Sequence, residues 1–157
     1  MLLKLALYLH IVSAMFWVGG MLFLVLVIAP FLKTLTDPRE KSRIFQVVGK
    51  QYRFWGWVAI ITLLVTGPIA LYLNYGLSVP DVFKQGIHTT PLGRTISVKL
   101  ALVALIVISS LVHDFYVGPK AKTSPKIAGY ARIFGRGNMI LALIIVLFAV
   151  FIRLGGI

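Results

Sequence analysis

Four apolar runs, each near the length of a membrane-crossing helix, alternate with three polar loops along this chain. A bilayer core about 30 Å thick takes about 20 apolar residues in a helix. The runs cover about 5–32, 55–75, 95–117 and 138–154. His10 and Ser13 interrupt the first, and Gly67-Pro68 predicts a kink in the second. With 157 residues, 59 % of them apolar, and a mean hydropathy of +0.96, the chain carries more apolar surface than a soluble domain of this size hides. The same composition excludes disorder. Zero cysteines exclude disulfides, thiolate metal sites and c-type haem attachment. The expectation is an all-α protein: one integral membrane domain over 1–157, built as a four-transmembrane-helix bundle. The first run is too long for a signal peptide and lacks a small-x-small cleavage site, so it is expected to stay in the mature protein.

The net charge of +12 sits between the runs. Loop one carries Lys33, Arg39, Lys41, Arg43, Lys50 and Arg53 against Asp37 and Glu40. Loop three carries Lys120, Lys122, Lys126, Arg132 and Arg136 against Asp114, whereas loop two has only Lys84 and Arg94 against Asp81. The positive-inside rule therefore predicts loops one and three in the cytoplasm, with loop two and both termini outside a bacterial-type inner membrane. Tyr52, Trp55 and Trp57 would mark the inner interface, Tyr72 and Tyr75 the outer one. No RNP-like aromatic run or other nucleic-acid module accompanies the charge, so the bilayer is its partner and nucleic acid is not. Asp37-Pro38-Arg39-Glu40 reads as a helix start, and the amphipathic stretch through Ile44, Phe45, Val47 and Val48 predicts a short interfacial helix.

An ionisable group inside a span costs on the order of 3 kcal/mol for Lys or Arg, which makes it a functional candidate. His10, Lys99 and His113 qualify. His10 and Lys99 each lie about five residues inside the loop-two side of their spans, roughly 7–8 Å deep, so they are expected to share one site. His113 is fourteen residues past Lys99, about 21 Å further along. It is therefore too far from His10 to be the opposite axial ligand of one haem, where ligand nitrogens sit about 4 Å apart. Each candidate has a plainer reading. His10 could bond a neighbouring helix, Lys99 could snorkel to headgroups, and His113-Asp114 could be wet. His88, in loop two, could fold down over the outer site or stay solvated. Ser13, Ala14, Trp17 and Met21 follow His10 at helical spacing, which gives either close helix approach or room for a flat macrocycle. No Met-x-x-Met or His-x-His cluster marks a copper channel. No Gly-x-Ser-x-Gly, no His-Glu-x-x-His and no intramembrane carboxylate pair supports hydrolysis.

Leu9-His10 with Phe16-Trp17-Val18-Gly19-Gly20-Met21-Leu22-Phe23 resembles the first helix of the copper-resistance D (CopD) family. The similarity continues in Gly49 to Phe54, Gly56-Trp57, Thr66-Gly67, Val98 to Leu102, His113-Asp114-Phe115 and Gly118-Pro119. The resemblance implies copper uptake or tolerance, with b-type haem in some members. A weaker similarity to HemJ-type protoporphyrinogen oxidases places His10 and Lys99 at positions like that group's haem- and porphyrin-binding histidine and lysine. On this basis the expected function is electron transfer or redox chemistry on haem b, linked to copper reduction, which leaves a membrane oxidoreductase open. His10 is the axial ligand, Lys99 the second ligand or a tuning group, and Trp17, Tyr72, Asn74 and Arg94 line the cofactor. Lys84 joins Arg94 as a propionate anchor. The alternatives are copper handling without haem, on His10, Lys99 and His113, a HemJ-like oxidase, and a structural bundle. A quinone or redox protein would exchange electrons, and a homodimer would complete the wall around a large cofactor.

Overall fold

Proline at the first position starts three of the long helices, because its fixed φ suits a helix and its missing N–H is not needed there. In the computed structural model, which describes residues 1–121 and 124–157, α1 spans Leu2–Thr34, α2 Pro38–Tyr75, α3 Pro91–Lys120 and α4 Pro125–Arg153. Before Pro38, the Asp37 carboxylate accepts the Arg39 amide at 2.8 Å. Before Pro91, the Thr90 hydroxyl accepts the Gly93 amide at 3.0 Å. All four helices are long and apolar enough to cross a membrane, and no strand occurs among the described residues. Lys122 of loop three lies outside the described residues.

The amphipathic segment of loop one starts at Pro38, as read from the sequence. It is not a separate helix: α2 runs for 38 residues from Pro38 through the second apolar run. Gly49 and Gly56 each cost about 1 kcal/mol relative to alanine, too little to end a helix without a cap or a proline nearby. α1 and α3 each contain a π-helical turn, over Leu24–Ile28 and Val112–Val117. A proline follows each at the second residue, Pro30 and Pro119. A proline ring clashes with the carbonyl four residues back, here Leu26 and Phe115, and both lie in the widened turns. The ladder is shifted accordingly: Ala29 N–H reaches the Leu24 carbonyl and Gly118 N–H the His113 carbonyl.

The chain falls into two compact units, Met1–Ala70 and Leu71–Ile157. In the first, Ala6, Trp17, Ala59 and Ile60 are buried. In the second, Leu71, Val82 and Ile96 form a core covered by Tyr75, Leu77, Leu92 and Ile152 among others. Loop two is ordered by its own short elements, a 3-10 turn at Pro80–Phe83 and one helical turn at Gln85–His88. The Asp81 carboxylate accepts the Ser78 amide at 2.9 Å, the Ser78 hydroxyl and the Lys84 ammonium. The bond from Lys84, and then those from Ser78, hold its pKa well below the usual carboxylate range. Gly93 lets the turn close on α3, since a Cβ there would strike the Ile87 carbonyl.

Candidate functional site

His10 sits on α1 on the face that also buries Ala6 and Trp17. Opposite it, within the same unit, α2 presents Thr66 and Gly67. The His10 Nδ1 lies 2.9 Å from the Thr66 hydroxyl, and that hydroxyl lies 2.6 Å from the Thr62 carbonyl. A carbonyl only accepts, so the Thr66 proton goes to Thr62 and its oxygen must accept from His10. Nδ1 therefore carries the ring proton, and in the neutral ring Nε2 holds the lone pair. Metal-binding imidazoles have the same arrangement, one nitrogen donating to an outer partner and the other facing the ion. Thr66 is 5 % exposed, so the acceptor is fixed among packed helices. Gly67 allows the ring to lie close: a Cβ there would come within 3.3 Å of His10 Cε1.

Trp17 lies seven residues along α1 from His10, about 10 Å. It is buried, and its carbonyl accepts the Tyr52 hydroxyl at 2.7 Å. Gly20 makes room for the Tyr52 ring, which an added Cβ would strike. This clamp holds α1 against α2 at the glycines of the Trp17-Val18-Gly19-Gly20 motif.

The other expected site residues belong to the second unit. Lys99 is half-buried on α3, one turn after Thr95, which is fully buried. Tyr72, Asn74 and Arg94 are exposed. Lys84, read as a propionate anchor, is paired with Asp81. His113 Nδ1 lies 2.8 Å from the Asp114 carboxylate, inside the π-helical turn. His88 does fold down onto α3: its Nδ1 lies 3.1 Å from the hydroxyl of buried Ser97, which donates to the Gly93 carbonyl at 2.8 Å. By the same proton count, His88 also donates from Nδ1. Nearer the far end of α3, Ser109 donates to Asn138 Oδ1 at 2.6 Å, and Asn138 Nδ2 donates to Ser110 at 3.4 Å, joining α3 to α4. Ser97 and Asn138 were not singled out as site residues from the sequence, and Thr66 entered only as part of a resembling segment. Their signal is a small polar residue inside an apolar run, and its partner is visible only once the helices pair.

All three histidines thus have Nδ1 occupied. Among the described residues no group of three or more His, Cys, Asp or Glu side chains could hold a metal ion together.

The model for copper resistance protein D, CopD, matches residues 46–152. This chain belongs to the CopD family. The match takes in every resembling segment from Gly49 to Gly118-Pro119, and His10 precedes it. An uncharacterized protein of Aquifex aeolicus (strain VF5) is 41 % identical over 153 residues, which is 97 % of this chain and 96 % of that one. No solved structure matches. Family and helices together make the chain a copper-related integral membrane protein of the CopD type.

Proposed function

We propose that this CopD-family protein handles copper as cargo, and that His10 is the imidazole that meets the ion. The observation that supports the reading is the His10–Thr66–Thr62 relay, which keeps the proton on Nδ1 and fixes the ring within its span, so that Nε2 is the nitrogen proposed to meet the ion. Imidazole suits copper, and a neutral ring needs to lose no proton on binding. The charge pattern supports an orientation with loops one and three in the cytoplasm and both termini outside, in a bacterial-type inner membrane. His10 then lies in the outer half of its span. Lys99, in the second unit, is proposed as a further donor in its neutral form, and His113 as a later imidazole on the cytoplasmic side.

Haem b on the same nitrogen is the second reading, and the Nδ1-donating tautomer favours it equally. A haem iron would supply one-electron transfer. The His10 ring lies beside Gly67, and the groove that α1 forms with α2 starts at Met15 and does not include His10. Purified protein titrated with copper(I) separates the two. Binding lost in His10→Ala, together with loss of copper tolerance in cells, supports copper handling. A stoichiometric Soret band that vanishes in His10→Ala contradicts it in favour of haem. Complementation of a strain unable to oxidise protoporphyrinogen would point instead to a HemJ-type reaction.

A further inference from the structure

Within the second unit, two sets of hydrogen bonds show which face of α3 meets α4. At one end Asn138 on α4 bonds Ser109 and Ser110 on α3. At the other, the segment that follows α4 reaches back: the Ile157 amide donates to the Thr95 hydroxyl at 2.8 Å. Thr95 is fully buried and gives its own proton to the Pro91 carbonyl at 2.8 Å, so its oxygen is the acceptor. At 3.6 residues per turn, Thr95, Lys99, Ile106 and Ser110 fall within a sector of about 60° around α3. Lys99 therefore lies in the α3–α4 seam, between the two points where the seam is pinned. Ile106, 1 % exposed, fills the seam on its loop-three side. A helical side chain leans toward its helix's N-terminus, so the Lys99 stem runs toward Thr95 and the segment docked on it.

That segment, 154–157, is jointed. Gly155 and Gly156 have φ of +100° and +95°, a region that other residues rarely adopt. The Gly156 amide returns to the Phe151 carbonyl at 2.8 Å. Gly156 also passes so near α3 that an added Cβ would lie 2.5 Å from the Pro91 carbonyl and the Leu92 amide. Leu154 and Ile157 are both exposed, so little apolar burial holds the segment down, and the Thr95 bond fastens it to α3. Segments held this lightly open locally before the fold does. We propose that residues 154–157 are a gate at the loop-two end of the α3–α4 seam. Docked on Thr95, the gate shuts Lys99 off from water; turned at Gly155-Gly156, it opens the amine to small polar solutes from that side.

The test is labelling of the full-length protein in phosphatidylcholine nanodiscs with a water-soluble, membrane-impermeant succinimidyl ester. Peptide mass spectrometry reads the ratio of Lys99 to Lys84 modification. Lys84, in loop two, has a side chain 70 % exposed and serves as the reference. In the unaltered chain Lys99 should be modified far less than Lys84. Gly156→Ala should raise the ratio about tenfold, through strain at positive φ and collision with α3. Thr95→Val removes the acceptor and should raise it about fivefold; it also covers the case in which the first variant does not fold. The readout is access alone, so it stands apart from copper binding. Equal modification of Lys99 and Lys84 in the unaltered chain overturns the proposal, and so does an unchanged ratio in either variant when its thermal unfolding shows it folded.

Discussion

His10 in α1 and His88 in loop two each donate Nδ1–H to a hydroxyl that passes its own proton to the carbonyl four residues back. Their surroundings differ. His10 is half-buried within a span and its acceptor, Thr66, is on another long helix, whereas His88 is exposed and caps the start of α3. Identical pairing therefore does different work. In loop two, water can replace a lost bond, so the pair mainly docks a turn. Inside the span water is scarce, so the pair fixes the tautomer and orientation of the His10 ring. The copper site proposed above is placed at the less solvated of the two.

Substitutions at four positions break or sharpen that contrast. Gly93→Val should have the largest effect, about 3 kcal/mol, because its Cβ collides with the Ile87 backbone and undocks the His88 turn. Thermal unfolding in detergent should fall, and hydrogen exchange over 85–90 should rise, with copper binding at His10 unchanged. Gly20→Val should cost about 2 kcal/mol by displacing the Tyr52 ring from its bond to the Trp17 carbonyl, read in the same unfolding assay. Thr66→Val should cost only about 1 kcal/mol yet weaken copper binding as His10→Ala does, because the tautomer is no longer held. Thr66→Ser should restore it. The smallest effect belongs to Asp81. Its pKa is depressed on folding, so its contribution is present above the unfolded value of about 3.9 and is lost as the pH falls through the lower folded value. Loop-two amide exchange should therefore rise only in strong acid, and Asp81→Asn should remove that dependence.

The spans and the helix start at Pro38 were legible in the sequence. Each rests on a local signal: a long apolar run, a capped proline. The continuity of α2 was not legible, because its change from amphipathic to apolar carries no backbone break. Nor were the π-helical turns, although Pro30 and Pro119 stand two residues after them and explain their placing. Thr66 stood in the sequence as part of a family motif, but its role depends on the pairing of α1 with α2 at residues 56 positions apart. For the same reason Ser97 looked like an ordinary polar position until His88 was seen upon it.

The tautomer of His10 is the claim on which the functional reading depends. Ring ¹⁵N NMR of the labelled protein in lipid, before and after copper(I), measures it directly. The account predicts a protonated Nδ1 and an unprotonated Nε2, with copper(I) shifting Nε2 alone. A proton on Nε2, or a ring unmoved by copper(I), would contradict it.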